Sequence, residues 1–207
     1  VYDPNGNVVE KTDFNGDIVE YDYDGYNRLT KRSYPDGTEV SFTYTDNGRR
    51  KTVTDARGLT QYDYDTLNRL KKVTNPDSTE ISYTYDAKGN RTSVTVPSGK
   101  TDYTYDDLSR LQTVTDPQGG VTTHTYNKVG NRETVTYPNG IVARYMYDRL
   151  NRLIKLENRN AAGDLISGYI YTLGPSGNRE QIEELHSGRV VRYGYDEPHR
   201  LVSEEIT

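Results

Sequence analysis

Two Asp-Tyr-Asp sequences, at residues 22–24 and 63–65, contain the side chains whose type and spacing could support chemistry. Two nearby carboxyl groups can act as acid and base in glycoside hydrolysis, or they can bind calcium. The first aspartate does not recur, however, because Thr104 stands at the corresponding position further along the chain. The second aspartate is typical of an Asx-turn, in which the carboxylate accepts hydrogen bonds from backbone amides. We therefore predict no catalytic pair and no calcium site here.

Other patterns for catalysis or metal binding are missing. The three histidines, His124, His186 and His199, lie far apart in sequence, and the chain contains no cysteine. Metal sites need ligands at characteristic short spacings. No Gly-x-Ser-x-Gly elbow and no phosphate-binding loop is present. The sequence predicts a protein that is not an enzyme and that needs no cofactor.

Composition restricts the kind of core that the chain can build. Val, Ile, Leu and Phe make up only about a fifth of the residues, which is low for a globular domain. The 207 residues include 20 tyrosines, and the net charge is −5. Tyrosine buries a large ring and keeps a polar tip that can stay wet. We expect a thin sheet with a large surface.

Charge and hydropathy exclude two classes of partner. Acidic and basic residues alternate without a basic stripe, so nucleic acid is not expected. No apolar run approaches the roughly 18 residues that cross a membrane. The absence of cysteine leaves the compartment open. Because Val1 already falls inside a repeat, we expect the chain to be part of a longer one.

An internal repeat is the strongest signal in the sequence. A tyrosine followed by a polar residue recurs at spacings of 20 to 24 residues along the whole chain. These anchor tyrosines are Tyr2, Tyr23, Tyr44, Tyr64, Tyr85, Tyr105, Tyr126, Tyr147, Tyr171 and Tyr195. The residue that follows is an aspartate that we expect to hold the next turn at Asp24, Asp65, Asp86, Asp106, Asp148 and Asp196. A fixed period of this length indicates a repeat architecture.

A second ring stands two residues before most anchors. It is tyrosine at most positions, Phe42 at one and His124 at another. Side chains two residues apart share one face of a strand. Binding of sugars or bases to these rings is one interpretation. Their presence in nearly every repeat favours a cross-strand ladder that stabilises the sheet.

Turn signals divide each repeat into two strands. Turns rich in proline, asparagine and aspartate occur between the anchors, and glycine can supply the positive φ that such turns require. The expected turn glycines are Gly37, Gly58, Gly99, Gly119 and Gly140. The longer spacing after Tyr147 predicts an extended hairpin loop over 158–164.

The turns after the anchors alternate between two types. One type contains Gly-Asn-Arg, as at 89–91, and the other contains Asn-Arg-Leu, as at 68–70. The true period is then a pair of hairpins of about 42 residues. We expect the glycine type to be the tighter turn, and the leucine of the other type to pack against a neighbouring turn.

The fold class that follows is all-β. Residues 1–207 are expected to form a single array of about ten antiparallel hairpin repeats, with roughly 18–20 strands in meander order. A sheet of so many strands must twist, curl or close. We therefore predict a β-hairpin repeat ribbon that curls into a spiral or shell-like wall.

The combination Tyr-x-Tyr-Asp-x-x-x-Arg-Leu, a Val/Thr-rich strand and Pro-Asp-Gly resembles the RHS or YD repeat over the whole chain. Such repeats occur in bacterial RHS effectors, in the C component of insecticidal toxin complexes, in wall-associated bacterial proteins and in teneurins. The resemblance implies a hollow shell around a toxin or effector polypeptide, secreted or at the cell surface. The nearest match to the Asp-Pro-x-Gly-Leu-like element of the family's self-cleaving core segment, Asp116-Pro117-Gln118-Gly119, is followed by Gly120 instead of leucine. We assign it to an ordinary turn.

Two other functions stay open at this point. Unpaired strands at the ends of an array can pair with another copy, which would suit an extracellular fibre or adhesion module. A carbohydrate-binding surface on the tyrosines is the other. The expected partners are other repeats of the same or a longer chain, an encapsulated polypeptide, or a second copy through the edge strands.

Overall fold

The computed structural model describes all residues, Val1–Thr207, and contains 19 β-strands and no α-helix. The chain divides into two compact units, Val1–Lys100 and Thr101–Thr207. The strands of the first unit are β1 Glu10–Thr12, β2 Ile18–Tyr23, β3 Leu29–Ser33, β4 Glu39–Tyr44, β5 Arg50–Asp55, β6 Gly58–Tyr64, β7 Leu70–Thr74, β8 Glu80–Tyr85 and β9 Arg91–Val96.

The second unit contains almost all of strand β10, which begins two residues before the division. The strands from there on are β10 Gly99–Tyr105, β11 Leu111–Thr115, β12 Val121–Tyr126, β13 Arg132–Thr136, β14 Val142–Tyr147, β15 Leu153–Arg159, β16 Leu165–Leu173, β17 Arg179–Glu184, β18 Val190–Tyr195 and β19 Leu201–Ile206. No helix has the length and the apolar character that a membrane crossing requires.

Within each unit the strands pair antiparallel in chain order, which confirms the predicted all-β meander. In the first unit β2 pairs with β3 and β3 with β4, and the pattern continues to β9. In the second unit the same order runs from β10 to β19. Alternation of apolar and polar residues with period two favours this arrangement, because one face of each strand carries the rings.

Most turns share one geometry. In the turn after Tyr23, the amide of Asn27 donates to the carbonyl of Asp24, and the amide of Asp24 donates to the carbonyl of Arg28. This is a type I turn followed by a residue in the left-handed region, a common hairpin connection. The residue with positive φ is Gly37, at +79°, in one of the proline turns. Gly119 and Gly140 occupy the same place, at +86° and +80°.

Two of the turns that lie between anchors, one with alanine and one with proline, are one residue shorter than the others. Asp55 pairs directly with Gly58, so only two residues connect β5 and β6. Gly58 and Gly99 begin the strands that follow these turns, with φ of +122° and +142°. The two anchor spacings of 20 residues are those that contain these shorter turns, from Tyr44 to Tyr64 and from Tyr85 to Tyr105.

The prediction of an extended loop over 158–164 is wrong. The amide of Asn160 donates to the carbonyl of Asp164, and that of Gly163 to the carbonyl of Asn160, as in the other turns. The additional residues lengthen the strands instead, since β15 has seven residues and β16 has nine. A longer pair of strands satisfies the backbone groups by ladder hydrogen bonds, whereas a longer loop would leave them to solvent.

The interior is thin, as the composition predicts. The buried apolar side chains are Val135, Ala143 and Val191. The chain exposes 13630 Å² to solvent, whereas a compact globule of this mass would expose about 9,800 Å². Each strand of the sheet therefore keeps contact with water on at least one face.

Candidate functional site: the tyrosine face and its turns

One face of the sheet carries the rings, and we call it the tyrosine face. The strand register places most of the rings that stand two residues before an anchor directly opposite an aliphatic residue of the next strand. These pairs are Phe42–Val53, Tyr62–Val73, Tyr83–Val94, Tyr103–Val114, His124–Val135 and Tyr145–Leu156. Aromatic and β-branched residues directly opposite each other stabilise a sheet. The rings thus alternate with aliphatic side chains and do not form an uninterrupted stack.

The anchor tyrosines have a different contact. In six repeats the anchor hydroxyl donates a hydrogen bond of 2.7 to 2.9 Å to the backbone carbonyl of a residue 14 to 16 positions earlier, and in five of them this residue begins the preceding strand. The pairs are Tyr23–Val8, Tyr44–Leu29, Tyr64–Arg50, Tyr85–Leu70, Tyr126–Leu111 and Tyr195–Arg179. The ring thereby connects one repeat to the repeat before it.

Tyr171 departs from this pattern. The turn that follows it begins at Gly174, so Leu173 and not Tyr171 lies directly before the turn. Tyr171 occupies the ring position opposite Ile182, and its ring stacks on that of Tyr169 at 6.4 Å. The longer β16 shifts the strand by two residues relative to the anchor pattern, and a shift of two keeps the rings on the same face.

The aspartates after the anchors hold their turns in the Asx geometry that the sequence predicted. The Oδ1 atom of Asp24 accepts hydrogen bonds from the amides of Tyr26 and Arg28, and its Oδ2 accepts from Arg28 Nε at 2.7 Å. Asp65, Asp106, Asp148 and Asp196 contact Arg69, Arg110, Arg152 and Arg200 in the same way. The bonds from Arg28 lower the pKa of Asp24. A carboxyl with a lowered pKa is unsuited to act as a general acid.

The arginines of these turns reach the following repeat. The guanidinium of Arg28 lies over the ring of Tyr44, 4.6 Å from its centre. Arg69 over Tyr85 and Arg110 over Tyr126 have the same separation. A guanidinium over an aromatic ring contributes about 0.5–1 kcal/mol at exposed sites.

The turns of the glycine type make a different contact with the next turn along the chain. The side-chain amide of Asn7 donates to the side-chain oxygen of Asn27 at 2.9 Å. The other such pairs are Asn47–Asn68, Asn131–Asn151 and Asn178–His199. Amide contacts and arginine contacts therefore alternate from turn to turn within each unit, which gives the 42-residue period a physical basis. The sequence did not reveal the amide pairs.

The expected difference in turn tightness is wrong. In the glycine type, the amide of Gly89 donates to the carbonyl of Asp86, and the amide of Asp86 to the carbonyl of Asn90. This is the pattern of the leucine type, where Asn68, at φ +60°, takes the place of glycine. Asparagine tolerates the left-handed region better than other non-glycine residues. The two turn types have equal length and differ in the contacts of their side chains.

The opposite, polar face carries paired hydroxyl and charged side chains. Thr43 and Thr52 lie directly opposite each other with their hydroxyl oxygens 2.6 Å apart. The same arrangement joins Thr104 to Thr113 and Thr125 to Thr134. Lys31–Glu39 and Lys72–Glu80 are ion pairs on this face. Asp22 and Asp63, the first members of the aspartate pairs, also point here, away from the turns.

The histidines lie in three separate environments. His124 stands in the ring ladder opposite Val135, and burial lowers its pKa. His186 contacts the ring of Tyr169 edge-on, and His199 contacts Asn178. No group of three or more His, Asp or Glu side chains in the chain is close enough to hold a metal ion.

Comparison with known proteins agrees with the repeat pattern. The model of the RHS repeat family matches residues 2–39, 27–61, 44–79, 64–101 and 105–142. Among curated proteins, none matches the sequence significantly.

Solved structures share the fold. The crystal structure of TcdB2-TccC3-TEV matches with a TM-score of 0.80 at 17% identity, over 99% of this chain and 12% of that chain. The crystal structure of TcdB2-TccC3 without the hypervariable C-terminal region matches with a TM-score of 0.63 at 18% identity, over 100% of this chain and 14% of that chain. This chain thus spans about an eighth of the length of those proteins.

Proposed function

Since this chain belongs to the RHS repeat family, we propose that it forms part of the β-sheet wall of a hollow shell that encloses a toxin or effector polypeptide. The role is structural, without catalysis and without a cofactor. We propose further that the 207 residues act as one repeat array and that the shell is a bacterial protein, secreted or displayed at the cell surface.

The observation that carries this proposal is the openness of the sheet. A surface of 13630 Å² accompanies only three buried apolar side chains. Globular domains cover the apolar face of a sheet with a second layer. Here the rings are held by contacts with neighbouring repeats, so the sheet is ordered without such a layer. The wall of a shell must be ordered without a second layer, because one of its faces must remain available to the enclosed polypeptide.

The contacts between repeats also suit a wall. Anchor tyrosines and turns contact the adjacent repeat, as Tyr44 contacts Leu29 and Arg28 contacts Tyr44. The stability of the array is then close to a sum of nearest-neighbour terms. Further repeats can be added without changing the contacts of the existing ones. The fold shared with the TcdB2-TccC3 structures is consistent with this use.

The test begins with the gene on both sides of this segment. We expect further repeats and a downstream polypeptide without the repeat pattern. In limited proteolysis of the full-length product, that polypeptide should resist digestion until the repeats unfold. Digestion at the same rate with and without intact repeats would contradict the proposal, as would a gene that encodes repeats alone.

A fibre-forming or adhesion role is the second candidate. An exposed apolar strand is a template for pairing with another chain. Electron microscopy at high protein concentration separates the candidates. Regular filaments would favour the fibre, and single particles would favour the wall.

A further inference from the structure

Arg32 breaks the pattern of the tyrosine face in the first unit. In that unit the residues opposite three of the ladder rings are valines, Val53, Val73 and Val94. The residue opposite Tyr21 is instead Arg32. A charged side chain at an otherwise aliphatic position costs desolvation unless it is paired. Its presence calls for a compensating interaction.

The chain itself supplies only part of that compensation. One terminal nitrogen of Arg32 donates to the hydroxyl of Tyr34 at 3.0 Å, and the guanidinium lies 5.4 Å from the ring centre of Tyr21. The Nε atom is buried and has no hydrogen-bond partner. No carboxylate pairs with this arginine. The guanidinium therefore retains unused hydrogen-bonding capacity.

A second arginine lies on the same face two strands away. The guanidinium of Arg50 is over the ring of Phe42, 5.0 Å from its centre, and the residue is exposed. It likewise forms no ion pair. We call Tyr21, Arg32, Phe42 and Arg50 the arginine–aromatic patch. The carboxylates of β2 and β4, namely Glu20, Asp22 and Glu39, face the other way, and Asp55 at the end of β5 pairs with Arg57.

We propose that the arginine–aromatic patch binds the carboxylates of an acidic, extended polypeptide. Guanidinium groups on aromatic platforms are suited to planar carboxylates. Arg32 lies opposite Val40 and Arg50 lies opposite Tyr44 of the intervening strand β4, so the two arginines are two strands apart and four residues apart along the strands. At the usual strand dimensions this is about 16 Å between their backbones, which about four to five residues of an extended chain span.

Polypeptide is favoured over nucleic acid for two reasons. The patch contains only two arginines, whereas nucleic-acid binding draws its affinity from many phosphate contacts. The net charge of the chain is −5, which opposes the approach of a polyanion of high charge density. The proposal concerns this face alone and holds with or without the shell.

The experiment measures binding of a fluorescent peptide with glutamate at every fourth residue, in repeats of Glu-Ala-Ser-Ala. We expect the 207-residue chain to bind it, and the double variant Arg32→Gln, Arg50→Gln to bind about tenfold more weakly. The matched control is Lys31→Gln, Lys72→Gln on the polar face, which should change the affinity less than about twofold.

Three outcomes would overturn the proposal. These are equal binding of a peptide with lysine in place of glutamate, unchanged binding by the arginine variant, and tighter binding of single-stranded DNA than of the peptide. Circular dichroism verifies the fold of each variant. If Arg32→Gln does not fold, Arg50→Gln alone decides, because Arg50 is exposed.

Discussion

The hydroxyl of Tyr44 donates a hydrogen bond of 2.7 Å to the backbone carbonyl of Leu29, while the guanidinium of Arg28 lies 4.6 Å from the centre of the same ring. One side chain thus contacts both the strand and the turn of the preceding repeat. The same pair of contacts recurs at Tyr85 and at Tyr126. Four predictions follow from these contacts and from the turns that they join.

Removal of one anchor hydroxyl should destabilise the chain. Tyr85→Phe deletes the hydrogen bond to Leu70 and leaves a half-buried carbonyl without its partner. We expect the free energy of unfolding to fall by about 1–2 kcal/mol, measured by urea denaturation. Tyr26→Phe is the control, since that ring is 81% exposed. An equal effect of both substitutions would contradict the assigned role of the anchor.

Replacement of a strained turn residue should stabilise the chain. Ser78 has φ +65° in a turn where Gly37 stands in an equivalent repeat. A left-handed conformation costs a non-glycine residue about 1 kcal/mol. We expect Ser78→Gly to raise the free energy of unfolding by about 0.5–1 kcal/mol, partly offset by the larger unfolded-state entropy of glycine. Ser82→Gly, within strand β8, should lower it.

Loss of a turn arginine should cost more than loss of an isolated surface pair. Arg110 contacts both Asp106 and the ring of Tyr126. We expect Arg110→Gln to lower the free energy of unfolding by about 1 kcal/mol, of which the ring contact supplies about half. Arg57→Gln removes only the exposed pair with Asp55 and should change stability by less than about 0.5 kcal/mol. Equal losses would show that the ring contact contributes nothing.

The turn aspartates should make stability sensitive to acid. Hydrogen bonds from the backbone and side chain of Arg110 lower the pKa of Asp106, and Asp65 and Asp148 are affected likewise. Since the unfolded value is about 3.9, this stabilisation is complete above that pH and is lost as the pH falls through the lower folded pKa.

Urea midpoints measured from neutral to acidic pH should therefore decline below about pH 4. The triple variant Asp65→Asn, Asp106→Asn, Asp148→Asn should show a shallower decline. The matched control is Asp63→Asn, on the polar face of β6. If the triple variant declined as steeply as the unmodified chain, the acid sensitivity would have another source.

Much of the fold was predictable because it is local. The 20- to 24-residue period, the two strands per repeat and the positions of the turns follow from residues that are adjacent in sequence, such as Pro35, Asp36 and Gly37. The extended loop over 158–164 was predicted wrongly for a related reason. A longer spacing shows that residues are added, but the register of β15 with β16 decides whether they extend strand or loop.

The sequence by itself determined the all-β class, the period and the face on which the rings lie, because alternation along a strand is a property of consecutive residues. Tertiary structure alone decided which atoms meet between repeats. The amide pair Asn47–Asn68 and the bond from Tyr44 to Leu29 join residues that are distant in the chain. Such contacts depend on strand register and turn geometry together, and neither is encoded in the spacing of residues alone.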